Sequence, residues 1–169
     1  VHRKIGMSGG LLTNILLRET QVDIDPARVE RLQRLHAEAY KRNLANIRPL
    51  PGATALLTAL TNAQIPWAIA TSGRIESAAP TLALLEVPKD VPIVTRDQVA
   101  HAKPNPDLFI EAARRLGIDA MDAVVVGDSV WDLLAARRAR MLGVGLLSGG
   151  YGPDELERAG AYRVYEDPA

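Results

Sequence analysis

The sequence contains no cysteine in 169 residues. A disulfide framework, a cysteine-ligated zinc site and a thiol nucleophile are therefore excluded. It also lacks net charge, since 20 Lys and Arg stand against 20 Asp and Glu. No global basic field points to nucleic acid, and no acidic bias points to a solvating tail. No uncharged apolar run reaches the ~18 residues of a membrane span, and no signal-peptide pattern is present. The expectation is a soluble cytoplasmic protein with neither nucleic acid nor membrane as partner. What remains is ordinary globular material, 47% hydrophobic and 24% charged, enough for one domain or one domain with a small appendage.

The pattern changes near residue 50. Before it, Leu11, Leu12, Ile15 and Leu16 form a stripe at helical spacing. Asp25-Pro26 is a helix start, with Asp as N-cap and Pro at the first position. Val29, Leu32, Leu35 and Ala39, then Tyr40, Leu44 and Ile47, predict one long amphipathic helix. Pro49-Leu50-Pro51-Gly52 then punctuates the chain.

After residue 50, helices alternate with short apolar strands. Strands are predicted at Trp67–Ala70, 91–94, 123–126, 144–147 and 162–165. Helices are predicted over 53–60, 75–85, 104–116 (closed by Gly117), 131–141 (closed by Gly143) and 154–158. Pro92 marks its strand as an edge. This alternation predicts βαβ units and a parallel sheet covered on both faces.

Ligands of such sheets bind at the carboxyl ends of the strands, and three polar clusters fall there. Thr71-Ser72-Gly73 offers hydroxyls and loop amides to phosphoryl oxygens; its bland reading is a helix N-cap. Lys103, one of four lysines against sixteen arginines, sits in a Pro-stiffened turn. It could neutralise a phosphoryl group as a point charge, or be a solvated surface lysine. Asp128, flanked by Gly127 after a buried strand, could bind Mg²⁺ through oxygen, with Asp132 one helical turn on. The bland reading is that Asp128 or Ser129 caps a helix. His2, His36 and His101 share no spacing, so each reads as structural or exposed. Ser72 and Ser129 lack a nucleophile elbow, and Gly149-Gly150-Tyr151-Gly152 is a flexible loop, not a P-loop.

Taken in order, Thr71-Ser72-Gly73, Lys103-Pro104-Asn105-Pro106-Asp107 and Gly127-Asp128-Ser129-Val130-Trp131-Asp132 resemble motifs II, III and IV of the haloacid dehalogenase superfamily. Arg3-Lys4-Ile5-Gly6-Met7-Ser8 resembles the cap entry of its phosphoglycolate phosphatase and β-phosphoglucomutase-like branch. The resemblance implies an α/β fold: a Rossmann-like parallel sheet over 49–169 with a small α-helical cap over 1–48. It implies a Mg²⁺-dependent phosphatase of small phosphate monoesters, such as phosphoglycolate or a sugar phosphate, working through an aspartyl-phosphate. Carried over residue by residue, Thr71, Ser72 and Gly73 would bind phosphoryl oxygens. Lys103 would offset charge on nucleophile and phosphate. Asp128 would ligate Mg²⁺, with Asp132 a further ligand or its partner.

The family's D-x-D-G-T motif I is missing. Asp23-Ile24-Asp25 has the pair but leads into Pro26. The expectation is that the chain starts just after motif I, stops before the family's last helix, and lacks the central strand. These residues alone would then be inactive, and unstable or prone to recruit a strand from another chain. Two alternatives stand beside the phosphatase. One is a non-catalytic member serving binding or regulation. The other is a phosphomutase, weakened because Gly9 follows Ser8 where mutases carry arginine. Gly9-Gly10 is the expected cap loop that selects substrate.

Overall fold

Asp25 does what its chemistry predicts. Its carboxylate accepts from the Ala27 N–H at 3.2 Å and opens α2 (Pro26–Asn43). The predicted long helix ends sooner than its stripe suggested, because Leu44–Asn46 tightens into a 3₁₀ turn. α2 packs on α1 (Gly9–Glu19), which carries the Leu11–Leu16 stripe. The computed structural model describes residues 6–7, 9–20 and 25–169. His2, Arg3-Lys4-Ile5, Ser8 and Asp23-Ile24 lie outside the described residues.

The remaining elements are α3 (Ala53–Asn62), β1 (Ile69–Ala70), α4 (Ile75–Leu82), β2 (Ile93–Val94), α5 (Asp107–Leu116), β3 (Val124–Gly127), α6 (Val130–Ala139), β4 (Leu142–Leu146), α7 (Pro153–Ala159) and β5 (Ala161–Tyr165). All strand pairs are parallel. They form two ladders rather than one sheet: β1 with β2, and β3–β4–β5 in sequence order. β1 is shorter than its apolar run, for a reason visible on its partner. Pro92 can only accept, from the Ile69 N–H at 3.0 Å, and has no N–H to return.

The core lies between the ladders and helices α5, α6 and α7. Leu108, Leu133 and Leu156 are fully buried. Each contributes roughly 1.5–3 kcal/mol by leaving water. Ala70 of β1 packs with Phe109 and Val125, so the two ladders share apolar contacts through α5. Coverage of both faces does not hold. Val125 is buried against α5 and α6, but Val124 and Val126 are 56% and 50% exposed. Leu142, in register with Val124, continues that open face.

Two predicted helix boundaries need correction. α5 starts at Asp107, not Pro104, because residues preceding proline are pushed out of helical geometry and both Lys103 and Asn105 do so. α6 is closed by Arg140 in the left-handed conformation (φ 62°), not by Gly143. Gly143 belongs to β4, where a Cβ would stand 3.1 Å from Leu133 Cδ2. The helix needs that close approach to the strand. The loop read as flexible is packed down, with Tyr151 buried.

Candidate active site

β3 delivers Gly127 and Asp128 to the start of α6. Ser129 is the N-cap, which decides the bland reading between Asp128 and Ser129 in favour of Ser129. Its Oγ accepts from the Asp132 N–H at 3.3 Å, and Asp132 Oδ2 accepts from the Ser129 N–H at 3.1 Å. This reciprocal arrangement is a capping box with Asp at the third helical position. The Ser129 hydroxyl also donates to Asp132 Oδ2 at 2.6 Å. Gly127 is required by space, since any Cβ there would collide with the Asp132 side chain.

The other oxygen of Asp132 faces the loop before α5. Lys103 Nζ donates to Asp132 Oδ1 at 2.6 Å. Their side chains are only 12% and 8% exposed. A solvated surface lysine is therefore the wrong reading of Lys103. Such a pair is largely desolvated, and neither member can lose the other cheaply.

Asp128 lies within the field of both. Burial pushes its carboxyl above the ordinary value, the neighbouring Asp132 charge adds to this, and Lys103 opposes it. The strand before it is not buried on both faces as expected; Asp128 owes its partial burial to the loop after β4. Gly149 presses so close that a Cβ would strike the Asp128 carbonyl oxygen.

Thr71, Ser72 and Gly73 follow β1, at the same ends of the strands but on the other ladder. The Thr71 hydroxyl accepts from the Gly73 N–H at 3.1 Å, folding the loop onto itself. The Ser72 hydroxyl is buried with no hydrogen-bond partner. Ala70 and Ala102, the residues before Thr71 and Lys103, pack in one cluster with Val94. Lys103, Asp128 and Asp132 thus form one charged group, and the Thr71–Gly73 loop stands across the apolar contact between the ladders. A groove of about 520 Å³ flanks this group without containing it, lined by Met7 and Ile15 on one side and Trp131 and Tyr151 on the other.

The donors fit a hard cation in part. Asp128 offers oxygen ligands, and burial first, then the Asp132 charge, holds its carboxyl above the ordinary value, an environment in which a bound cation would favour the charged form. Asp132 has three of its roughly four acceptor positions taken by Lys103 and Ser129. Its shown role is to hold Lys103 and the start of α6. Among the described residues no cluster of three acidic or histidine side chains forms a complete site. Among them, too, no helix is long and apolar enough to cross a membrane.

Sequence reasoning missed three contributors. Gly149 was read only as part of a flexible loop, and Ser148, whose hydroxyl is also buried without a partner, gave no motif. Arg138, which donates to the Pro104 carbonyl at 2.8 Å, reads in sequence as one exposed helix charge among several.

A parallel α/β protein with two polar loops and an aspartate at the strand ends belongs to a class that binds ligands at that rim. The haloacid dehalogenase-like hydrolase family model matches residues 9–140, and the chain belongs to that family. It is 35% identical over 139 residues to hexitol phosphatase A of Escherichia coli K12, covering 82% of this chain and 61% of that protein. It is 32% identical over 177 residues to the phosphoglycolate phosphatase of Rhodospirillum rubrum, covering 99% and 71%. A crystal structure of a hydrolase from Pseudomonas syringae superposes with a TM-score of 0.92 at 52% identity, covering 99% of this chain and 76% of that one. The chain therefore spans about three fifths of the length of hexitol phosphatase A.

Proposed function

We propose that the protein is a Mg²⁺-dependent phosphatase of small phosphate monoesters, acting through an aspartyl-phosphate. The observation that carries this reading is the buried Lys103–Asp132 pair beside Asp128, at the same strand ends as the Thr71–Gly73 loop. A scaffold has no need for a buried lysine at a strand rim, whereas a dianionic phosphate ester does. Two relatives named above are phosphatases, of hexitol phosphate and phosphoglycolate by name.

In this reading Thr71 and the Ser72 and Gly73 amides hold the phosphoryl oxygens, and the unpartnered Ser72 hydroxyl gains an acceptor. Lys103 offsets charge on phosphate and nucleophile, and Asp132 keeps its ammonium aimed there. Asp128 would hold Mg²⁺, which when bound supplies further charge neutralisation on the phosphate. The nucleophile would come from a D-x-D segment outside these residues. β1 and β3 are the ladder ends that do not pair with each other, and a strand entering between them would bring that carboxylate beside Asp128 and Thr71. α1 and α2 would act as the cap, tied to the core by the Tyr40–Thr81 hydroxyl contact at 2.5 Å. Gly9-Gly10 at the start of α1 would help select the substrate.

One observation favours a rival, a non-catalytic binding or regulatory protein: no D-x-D followed by Gly-Thr occurs in the 169 residues. Hydrolysis of a generic aryl phosphate separates the two. The phosphatase reading expects turnover with Mg²⁺, none with chelator, and loss in Asp128→Asn. Activity indifferent to both would sink it. Phosphate exchange between sugar positions with little release would instead identify a mutase.

A further inference from the structure

The loop that carries Lys103 is closed on itself by one carboxylate. Asp107 Oδ2 accepts from the His101 backbone N–H at 3.0 Å and lies 3.1 Å from His101 Nδ1. These two residues bracket Lys103. The Asp107 side chain is 27% exposed and the His101 ring 68%, so the carboxylate is the fixed member. Inside the loop the Asn105 N–H reaches the Ala102 carbonyl at 3.1 Å. Arg138 ties Pro104 to α6, the helix that also carries Asp132. Lys103 Nζ lies 5.9 Å from the Phe109 ring centroid before it meets Asp132. The lysine reaches its partner from a backbone fixed on both sides, and the N-terminal side is fixed by Asp107.

The geometry points to Asp107 as a positioning residue for Lys103. It acts through His101 and has no contact of its own with Asp128 or Asp132. Its kinetic consequence rests on the phosphatase reading; its structural consequence does not. A bland role competes with it. An acidic side chain in the first turn of α5 favours the helix through the dipole whatever it bonds. Substitution separates the two. Asn keeps an oxygen for the His101 N–H but discards the charge, whereas Ala discards both.

The test uses the protein expressed from its natural gene, with the variants Asp107→Ala, Asp107→Asn, Lys103→Ala and the double Lys103→Ala/Asp107→Ala. Hydrolysis of an aryl phosphate is measured with Mg²⁺. Misplacing Lys103 by about an ångström is expected to lower kcat/KM roughly 10- to 100-fold in Asp107→Ala, chiefly through kcat. Asp107→Asn should recover most of that loss. In the Lys103→Ala background the second change should cost about twofold or less, because the two residues act as a unit. Equal losses in the Ala and Asn variants, or the same loss with and without Lys103, would overturn the proposal. A second readout needs no turnover. The Lys103 ammonium resonance, protected by its bond to Asp132, should persist in Asp107→Asn and vanish in Asp107→Ala. An unchanged resonance in Asp107→Ala overturns the proposal even if no hydrolysis is seen; a lost resonance without hydrolysis upholds it while the phosphatase reading fails. If thermal melting shows Asp107→Ala to be unfolded, Asp107→Ser replaces it under the same criteria.

Discussion

Lys103 and Asp132 answer to opposite errors. Replacing Lys103 with Met leaves Asp132 buried beside Asp128 with no cation. The expected cost is about 3 kcal/mol, read as a lowered denaturant midpoint. Asp128 behaves differently. Its folded-state pKa lies above its ordinary value, so the folded chain holds this proton more tightly than the unfolded chain. Where unfolding releases a proton, stability falls as pH rises. The Asp128 contribution is therefore most favourable below the ordinary carboxylate value of 3.8 and is lost as pH rises through the raised folded value. At neutral pH the charged carboxylate is a burden. Asp128→Asn is expected to raise the melting temperature at pH 7 while removing activity, and to flatten this part of the pH–stability curve. A melting series from pH 3 to 8 checks both; a lowered Tm at pH 7 contradicts the argument.

Among the elements, the reading of the sequence succeeded where one local rule acts alone. Asp25-Pro26 starts α2 and Gly117 ends α5, because capping is settled within a few residues. It failed where a neighbour distant in sequence decides. Arg140 takes the left-handed position, and Gly143 is glycine because Leu133 lies against it. Likewise the position of Lys103 in the sequence was legible, but not its burial, since that depends on Asp132, 29 residues away. Asp107 stands in the motif quoted from the sequence, but its bond to His101, which precedes it across two prolines, is not legible there. Gly143→Val tests the β4 argument. Its branched side chain would press on Leu133 and cost about 1–3 kcal/mol by overpacking. Leu108→Ala, emptying a fully buried site on α5, should cost about 2–5 kcal/mol.

At the scale of the molecule, a parallel α/β sheet was expected and parallel ladders are found, but as two pieces with an open face. Open strand edges and exposed valines invite pairing with another chain. These 169 residues, produced alone, are expected to self-associate or melt broadly at low temperature. Gel filtration with a melting curve decides it; a sharp monomeric transition would refute the expectation. In the natural gene product, Val126→Lys then reports on the same face. A cost within about 0.5 kcal/mol means the face stays in water there, and a larger loss means something covers it.

One carboxylate both completes the cap of α6 and anchors the lysine of a loop two elements back in the chain. Folding of a helix and, in the phosphatase reading, reactivity of a site are thereby written at a single codon. A lineage shedding the chemistry could not drift freely at position 132, because the helix would still exact its bond. Nor could Lys103 drift freely, because its loss would leave the Asp132 charge buried without a partner. Among descendants that abandoned catalysis, the Lys103–Asp132 pair itself would be the expected relic.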